Sequence, residues 1–361
     1  MTVAVTADRV AGGLDQTRRS WFAFCLRHPA LARLMMSRAS RVPLLASLSL
    51  LASFALAAVA PMVPLLFGPI LFGVVHVAAD VRHLVLRRGL SAAALVATVA
   101  GCAVLFGLRL WGAPARVDTA VAVAWIGAAL LLGVREAPTG KRAAARSWGV
   151  ACAMVLAAVG AAALVFPDSA RLVFLHAHNL FAVGIWWTLF GRRARARAAW
   201  APLAVIGVGA AVLATGPLAM TALRSPLASL GGVHLLAATE WVAPAGWGAQ
   251  AAVGLTMAFA FLQSAHYVVW LFVIPQEETP ARRSLTFRMS WRALVRDFRG
   301  GGLVLVAGAA VAVAFCACLS LRRTRAAYLS LATFHGYLEL ALWAYLSARR
   351  RLGGAGETHA A

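Results

Sequence analysis

The chain has 361 residues, of which 62% are hydrophobic and 13% are charged, and its mean hydropathy is +0.80. These values exclude an ordinary soluble domain and indicate a polytopic membrane protein. The formal net charge of +22 comes almost entirely from arginines, which lie in short clusters between apolar segments. This pattern favours loops that face anionic lipid, so we expect no nucleic-acid partner.

The apolar segments, taken in chain order, predict the fold. A helix needs about 20 apolar residues to cross a bilayer. Ten segments meet this length, at 42–61, 64–86, 90–111, 117–135, 147–166, 170–190, 200–222, 249–275, 301–321 and 326–347. The sequence therefore predicts an all-α, polytopic bundle of about ten transmembrane helices. We divide it into an N-terminal segment, 1–41, a single membrane domain, 42–347, and a tail, 348–361.

The charge of the loops predicts the orientation of the bundle. Arginine clusters follow the second, fourth, sixth, eighth and tenth segments, whereas most of the opposite loops carry little charge. Because positively charged loops stay in the cytoplasm, we expect both termini there and the protein in the inner, cytoplasmic membrane. Anionic lipids of the inner surface are the expected partners of these arginines. The stretch "LRRTR" at 321–325 falls on the outer side and is the exception.

Two connections are longer than turns. Residues 276–300 alternate aromatic and apolar side chains with arginines, which favours an amphipathic segment on the inner surface. Residues 223–248 carry His234, Glu240 and Trp241 among small residues, which suits a lid or a short interfacial helix. A plain connecting loop remains the alternative for each.

Ionisable residues within the apolar segments are few, and two segments pair a histidine with an acid. The second segment contains His76, Asp80 and His83, at spacings that place all three on one helical face. The tenth contains His335 and Glu339, again four residues apart. An acid in the middle of a span is expensive unless it is paired or bound to a metal, so these pairs indicate a functional site.

Two further segments carry histidines without a nearby acid. The sixth reads "HAHN", in which His176 and His178 cannot both point inward from an undistorted helix, and the sequence leaves open which one does. The eighth places His266 beside Tyr267. A lone histidine of this kind is often only a hydrogen-bonded packing residue.

The four histidine segments have the same direction, so their depths can be compared. At a rise of about 1.5 Å per residue, one histidine from each lies about 12 to 25 Å below the outer surface. Four helices can then meet at one interior metal site, as in other helical bundles. The predicted ligands are His76, Asp80, His176, His178, His266, His335 and Glu339. Asp80 and Glu339 either bind the metal or orient the imidazoles. Mixed imidazole and carboxylate ligation suits non-haem iron, with zinc as an alternative.

The histidine–acid pairs are similar to motifs of the Brp/Blh-type membrane β-carotene 15,15'-dioxygenases. The "HGYLE" stretch of His335, Gly336 and Glu339 resembles that family's His-Gly pair followed by an acid, and His76 and Asp80 match the spacing. The first motif here, "FGVVHVAAD", lacks the Pro-His-Gly of the family. The resemblance implies an iron-dependent enzyme that cleaves a carotenoid double bond.

These observations predict a membrane-embedded, metal-dependent oxidoreductase or oxygenase that acts on an apolar, lipid-like small molecule, an isoprenoid, carotenoid or acyl chain. The expected catalytic residues are Glu339, Asp80 and Tyr267, the last as a proton donor or pocket residue. Two alternatives stay open: an electron-transfer protein with haem b, held axially by histidines, and a proton-coupled transporter that uses the intramembrane His, Asp and Glu residues.

Overall fold

The computed structural model describes residues 2–190, 200–278 and 286–350. This part of the chain is almost entirely helical, which confirms the predicted all-α bundle. Eight of its helices are long and apolar enough to cross a membrane, so the chain has the character of a multi-pass membrane protein. They are α3 (Arg38–Val59), α4 (Met62–Asp80, extended to Leu86), α5 (Ala92–Leu110), α6 (Ala115–Arg135), α7 (Arg142–Val165), α8 (Pro167–Ile185, extended to Phe190), α12 (Ala249–Val268, extended to Glu277) and α15 (Gly301–Leu319).

The two other predicted spans differ from the expectation. The segment predicted at 200–222 is a shorter apolar helix, α9 (Trp200–Ala214), which ends at a turn where Gly216 has a φ of 77°. The segment predicted at 326–347 is two helices, α16 (Leu321–Leu331) and α17 (Thr333–Arg350). They break at Ala332, whose carbonyl accepts hydrogen bonds from the amide and the side chain of His335.

Two amphipathic helices pack together at the arginine-rich end of the bundle. The chain begins with α1 (Thr2–Leu26) and α2 (Pro29–Met36), and α1 packs on α14 (Phe287–Asp297). The Asp15 carboxylate of α1 accepts the first amides of α14, at 2.7 Å and 3.2 Å. The segment predicted to be amphipathic, 276–300, therefore contains helix α14. Residues 279–285 of this segment lie outside the described residues. The arginines of 191–199 and the tail from 351 onward lie outside them too.

A folded cap, residues 215–248, covers the opposite end of the bundle, where the sequence predicted a lid or short helix. It contains α10 (Ala219–Leu223), a hairpin of β1 (Ser229–Leu230) and β2 (Val233–His234), and α11 (Leu235–Ala238). Helix α13 (Ile274–Glu278) is not part of the cap and lies at the arginine-rich end of α12. Leu235 and Val242 of the cap are buried against Leu65 and Leu66 of α4. His234 and Glu240 are exposed on the cap, and His234 accepts the Leu236 amide at 3.2 Å.

Two large groups of buried apolar side chains fill most of the bundle, one beneath the cap and one toward the arginine-rich end. On α4 the first group contains Leu66 and the second contains Leu84, with His76 between them. Helix α12 repeats this order around His266. Helices α4 and α12 are also the most buried of the eight apolar helices, with 56% and 67% of an 18-residue apolar stretch buried. The histidines therefore lie where the two apolar cores meet.

Three of the four histidine-bearing helices change to π-helical geometry after their histidine. The π-helical turns cover Val81–Leu86 on α4, Trp186–Phe190 on α8 and Val269–Val273 on α12. A π turn inserts an extra residue into the helical ladder and is common at functional sites. Here each turn rotates the face that the helix presents, so the polar site and the apolar core beyond it can both point inward.

The glycine at 133 sets the distance between α6 and α17, the helix that carries Glu339. A Cβ at Gly133 would lie 2.5 Å from the Tyr345 carbonyl oxygen and 3.0 Å from Ala348 Cβ. At Gly127, on the same helix, the nearest atom would be Leu156 Cδ2 at 3.7 Å, an ordinary contact.

We expect Gly133→Ala to lower the free energy of unfolding by about 1–3 kcal/mol, since the new methyl group meets the Tyr345 backbone and the Ala348 methyl, neither of which can rotate away. Gly127→Ala is the matched control and should be neutral or stabilising, because alanine is the better helix former. Thermal unfolding in detergent measures both. Equal midpoints for the two variants would contradict the close packing of α6 on α17.

Candidate metal centre

Helix α4 supplies a histidine and an acid from one face. The spacing of four residues places Asp80 one turn after His76, and their Oδ1 and Nδ1 atoms lie 3.4 Å apart. Both side chains are buried, with exposures of 2% for His76 and 0% for Asp80. Neither Nδ1 nor the Asp80 oxygens have a hydrogen bond, but a carboxylate in this position can orient the ring. The Nε2 atom of His76 is then directed into the bundle as a lone-pair donor.

Helices α12 and α17 place their residues against this Nε2 atom. His266 Nε2 lies 3.0 Å from His76 Nε2. Glu339 Oε1 lies 3.6 Å from His76 Nε2 and 3.4 Å from His266 Nε2. Glu339 is completely buried, with 0% exposure. Its one-turn spacing from His335 brings the carboxylate to the same side of α17 as that histidine.

Helix α8 contributes the next imidazole, and the start of α17 a further one. His178 Nδ1 lies 3.7 Å from Glu339 Oε2, and His178 Nε2 lies 3.0 Å from His335 Nε2. The His335 ring is centred 4.7 Å from that of His178 and 5.1 Å from that of His76. Its Nδ1 bonds the Ala332 carbonyl, which leaves Nε2 for the cluster.

These contacts define the His/Glu cluster, a buried group that could hold a metal ion. It consists of His76, His178, His266 and Glu339, whose ligand atoms lie within 4.8 Å of one another. His335 adjoins it through His178.

Two observations show that the cluster fits a cation. Ligands at about 2.1 Å from a metal are separated from one another by about 3.0–3.4 Å in octahedral or tetrahedral geometry. The N···N distance of 3.0 Å and the nearest N···O distances of 3.4 and 3.6 Å are close to this range. Both carboxylate oxygens of Glu339 are also buried without a hydrogen bond. A buried carboxylate without donors is costly, and a bound cation would supply the missing interaction.

The remaining predicted site residues lie around the cluster. His176, two residues before His178, bonds the Val242 carbonyl of the cap at 2.7 Å, so its ring lies with the cap and the cluster receives His178. Tyr267 contacts His76 at a ring separation of 5.7 Å, and its hydroxyl accepts the Gln263 amide at 3.4 Å. His83 is buried within the π turn of α4, one turn beyond Asp80. Asp80 faces only His76 among the imidazoles, which favours an orienting role over direct ligation.

Two features of the site have little or no sequence signal. The π turns after the histidines carry no distinctive residue pattern. The close approach of α8 and α17 depends on Gly336, where a Cβ would lie 3.0 Å from His178 Nδ1 and from Phe174 Cζ. In the sequence, only the position of Gly336 next to His335 points to this role of the glycine.

Family models, curated proteins and solved structures were compared with this chain, and none of them matches. The geometry of the His/Glu cluster is therefore the main evidence on function. The resemblance of the histidine–acid pairs to the Brp/Blh-type enzymes stays a prediction.

We expect His178→Ala to weaken metal binding more than tenfold, because it removes a donor from the cluster. His176→Ala, on the same helix, should retain the full metal content, because that imidazole bonds the cap. Elemental analysis after loading both proteins with iron and removing free metal provides the comparison. The same metal content in the two variants would exclude the cluster as the binding site.

Asp80→Asn should have a smaller effect than Glu339→Gln. Loss of a carboxylate that orients a ligand weakens metal affinity by about 10–100-fold, whereas the Glu339 variant loses a donor atom. Competition with a chelator of graded strength measures both affinities. A larger loss with Asp80→Asn would assign the metal-binding carboxylate to Asp80 instead.

Proposed function

We propose that this protein is a membrane-embedded oxidoreductase that uses non-haem iron and acts on an apolar, lipid-like substrate. More narrowly, we propose that it is an oxygenase. The observation that carries the proposal is the convergence of three imidazoles and one carboxylate from four helices at a buried point. A purely structural role would not require four separate helices to place donor atoms at ligand–ligand distances.

The donor set supports iron, with zinc as the alternative. Imidazole and carboxylate donors suit both ions, and no thiolate belongs to the cluster within the described residues. His76, His178, His266 and Glu339 would hold the ion, with His335 beside them. Iron bound there would supply one-electron and dioxygen chemistry, which amino-acid side chains lack.

The protein's own groups would keep the site ordered and dry. Asp80 orients His76, and the Ala332 carbonyl orients His335. The apolar cores on both sides exclude water, which strengthens electrostatic interactions within the site. The ring of Tyr267 contacts that of His76, so Tyr267 would line the pocket or donate a proton from its hydroxyl group.

The exposure of the ligands supports a substrate that arrives from the lipid. His76 and His266 are 2% exposed and Glu339 is 0% exposed, whereas His178 reaches 14%. Aromatic rings surround this more open side: Phe181 lies 5.8 Å from His178, and Phe174 stacks on Tyr337 at 4.4 Å. An opening of this kind between α8 and α17 would face acyl chains, so isoprenoid, carotenoid or acyl substrates are favoured.

Haem b is disfavoured by the space available. Two axial imidazoles must leave a flat open slot for the macrocycle between them. Here the rings of His76, His178, His266 and His335 are centred 4.6–5.1 Å from their neighbours, and Glu339 fills the space among them.

The first experiment is to purify the full chain in detergent, load it with iron, and record its metal content and its visible spectrum. We expect about one or two irons per chain and no Soret band. Oxygen uptake is then measured with apolar lipids, and His178→Ala should abolish it while His176→Ala retains it.

A Soret band would replace the proposal with electron transfer through haem. Failure to bind any metal, with a protein that is folded by thermal unfolding, would assign the buried residues to a proton relay. Tight iron binding without oxygen uptake on any isoprenoid or acyl lipid would retain the metal site and contradict the oxygenase.

A further inference from the structure

The second site of interest lies at the arginine-rich end of α4, remote from the cap. A cavity of about 510 Å³ opens there between the π turn of α4 and the end of α14. Val81, Leu86 and Phe298 form its apolar part, and Arg296, Asp297 and Arg299 form its polar part. None of these residues has a role in the His/Glu cluster.

Arginines form most of the polar part of this cavity. Arg82 Nε and Arg87 Nη2 lie 2.8 Å and 2.7 Å from Asp297 Oδ2, and Arg296 lies 3.7 Å from Oδ1. Arg299 lies with Arg296 in the polar lining of the cavity, so several arginines gather near the Asp297 carboxylate. Burial raises the pKa of Asp297, but the hydrogen bonds from Arg82 and Arg87 outweigh it and lower the pKa, so the carboxylate stays ionised. It holds Arg82 and Arg87 close to the cavity.

The backbone at Arg299 provides an independent observation. Its φ of 51° is the left-handed conformation, which is unfavourable for a side chain with a Cβ. Three glycines follow directly, at 300–302, and glycine would adopt this conformation without strain. An arginine is kept at a position suited to glycine, and its exposed side chain lies on the rim of the cavity. The left-handed residue therefore ends α14 beside the cavity.

The surroundings suit an amphiphile better than a free ion. Helix α14 is amphipathic, and Phe287 is 48% exposed on its apolar side. Leu86, at the cavity wall, is 46% exposed at the end of a membrane-spanning helix. An apolar wall beside a cluster of arginines at a bilayer surface matches a lipid whose phosphate meets the arginines and whose chains meet the wall.

We infer that this cavity binds the phosphate headgroup of an anionic phospholipid, with Arg296 and Arg299 closing over it and Arg82 and Arg87 behind them. The inference is independent of the metal chemistry. It would place a lipid against the π turn that directly follows Asp80.

The test uses the full chain in detergent with short-chain phosphatidylglycerol, and with phosphatidylcholine of the same chains as the neutral control. We expect phosphatidylglycerol to raise the thermal midpoint and to be retained in native mass spectrometry. Each arginine near an anionic lipid contributes about 1 kcal/mol, so removing one should weaken lipid affinity about five-fold.

The decisive variants are Arg299→Gly and Arg296→Gln, with Arg323→Gln as the matched control. Arg323 is exposed on α16, outside the cavity, and its variant makes the same change in charge. Arg299→Gly should weaken the lipid effect while leaving the midpoint without lipid equal or higher, because glycine removes the backbone strain. Loss of the effect without loss of stability separates binding from misfolding.

Three results would overturn the inference. The first is an equal loss of affinity in Arg323→Gln, which would indicate a general effect of net charge. The second is an equal response to phosphatidylcholine, which would assign any binding to the acyl chains. The third is inorganic phosphate stabilising the protein as strongly as the lipid does at the same concentration, which would make the cavity a site for the free anion.

Discussion

The arrangement of the bundle centres on one buried carboxylate. Glu339 lies inside the bundle with no exposed surface and with no hydrogen bond to either oxygen. In such surroundings an acid is tolerated only when positive charge or strong donors face it. Three imidazoles from three other helices do so, at 3.4 to 3.7 Å. A cation among them would satisfy the carboxylate and tie α4, α8, α12 and α17 together.

The rest of the fold serves to hold these four helices at fixed depth and rotation. The apolar cores above and below the cluster are rigid, close-packed regions, so each helix is fixed on both sides of its ligand. The cap fixes one end, partly through the bond from His176 to Val242. The π turns of α4, α8 and α12 let these three helices present polar ligands and then apolar residues to the interior. Gly133 and Gly336 allow α17 to approach α6 and α8 closely enough to bring Glu339 to the other ligands.

The arginine-rich end is stabilised by other interactions than the centre of the bundle. There the ion pairs are partly exposed and individually weak, and Asp297 acts by collecting arginines into one cluster. Helix α14 depends on Asp15 of α1 for the acceptors at its N-terminus. This end is therefore held by polar contacts at a surface, whereas the centre is held by burial. The two regions meet at α4, whose π turn continues from Asp80 into the wall of the cavity.

The sequence by itself determined the helical fold, because long apolar runs separated by charged loops allow only a helical bundle in a membrane. It also pointed to most residues of the candidate site, since an acid four residues from a histidine in an apolar run is a recognisable pattern. The tertiary structure decided which residues meet. It selected His178 over His176, because the hydrogen bond to the cap turns the latter aside. In the structure Asp80 faces one imidazole and Glu339 faces three. This difference depends on the rotation of each helix, which the same four-residue spacing from a histidine cannot reveal. It also broke the last predicted span at Ala332, where a side chain of the site bonds the backbone. Periodicity fixes residues on one helix face, but contacts between helices depend on packing that only the folded chain defines.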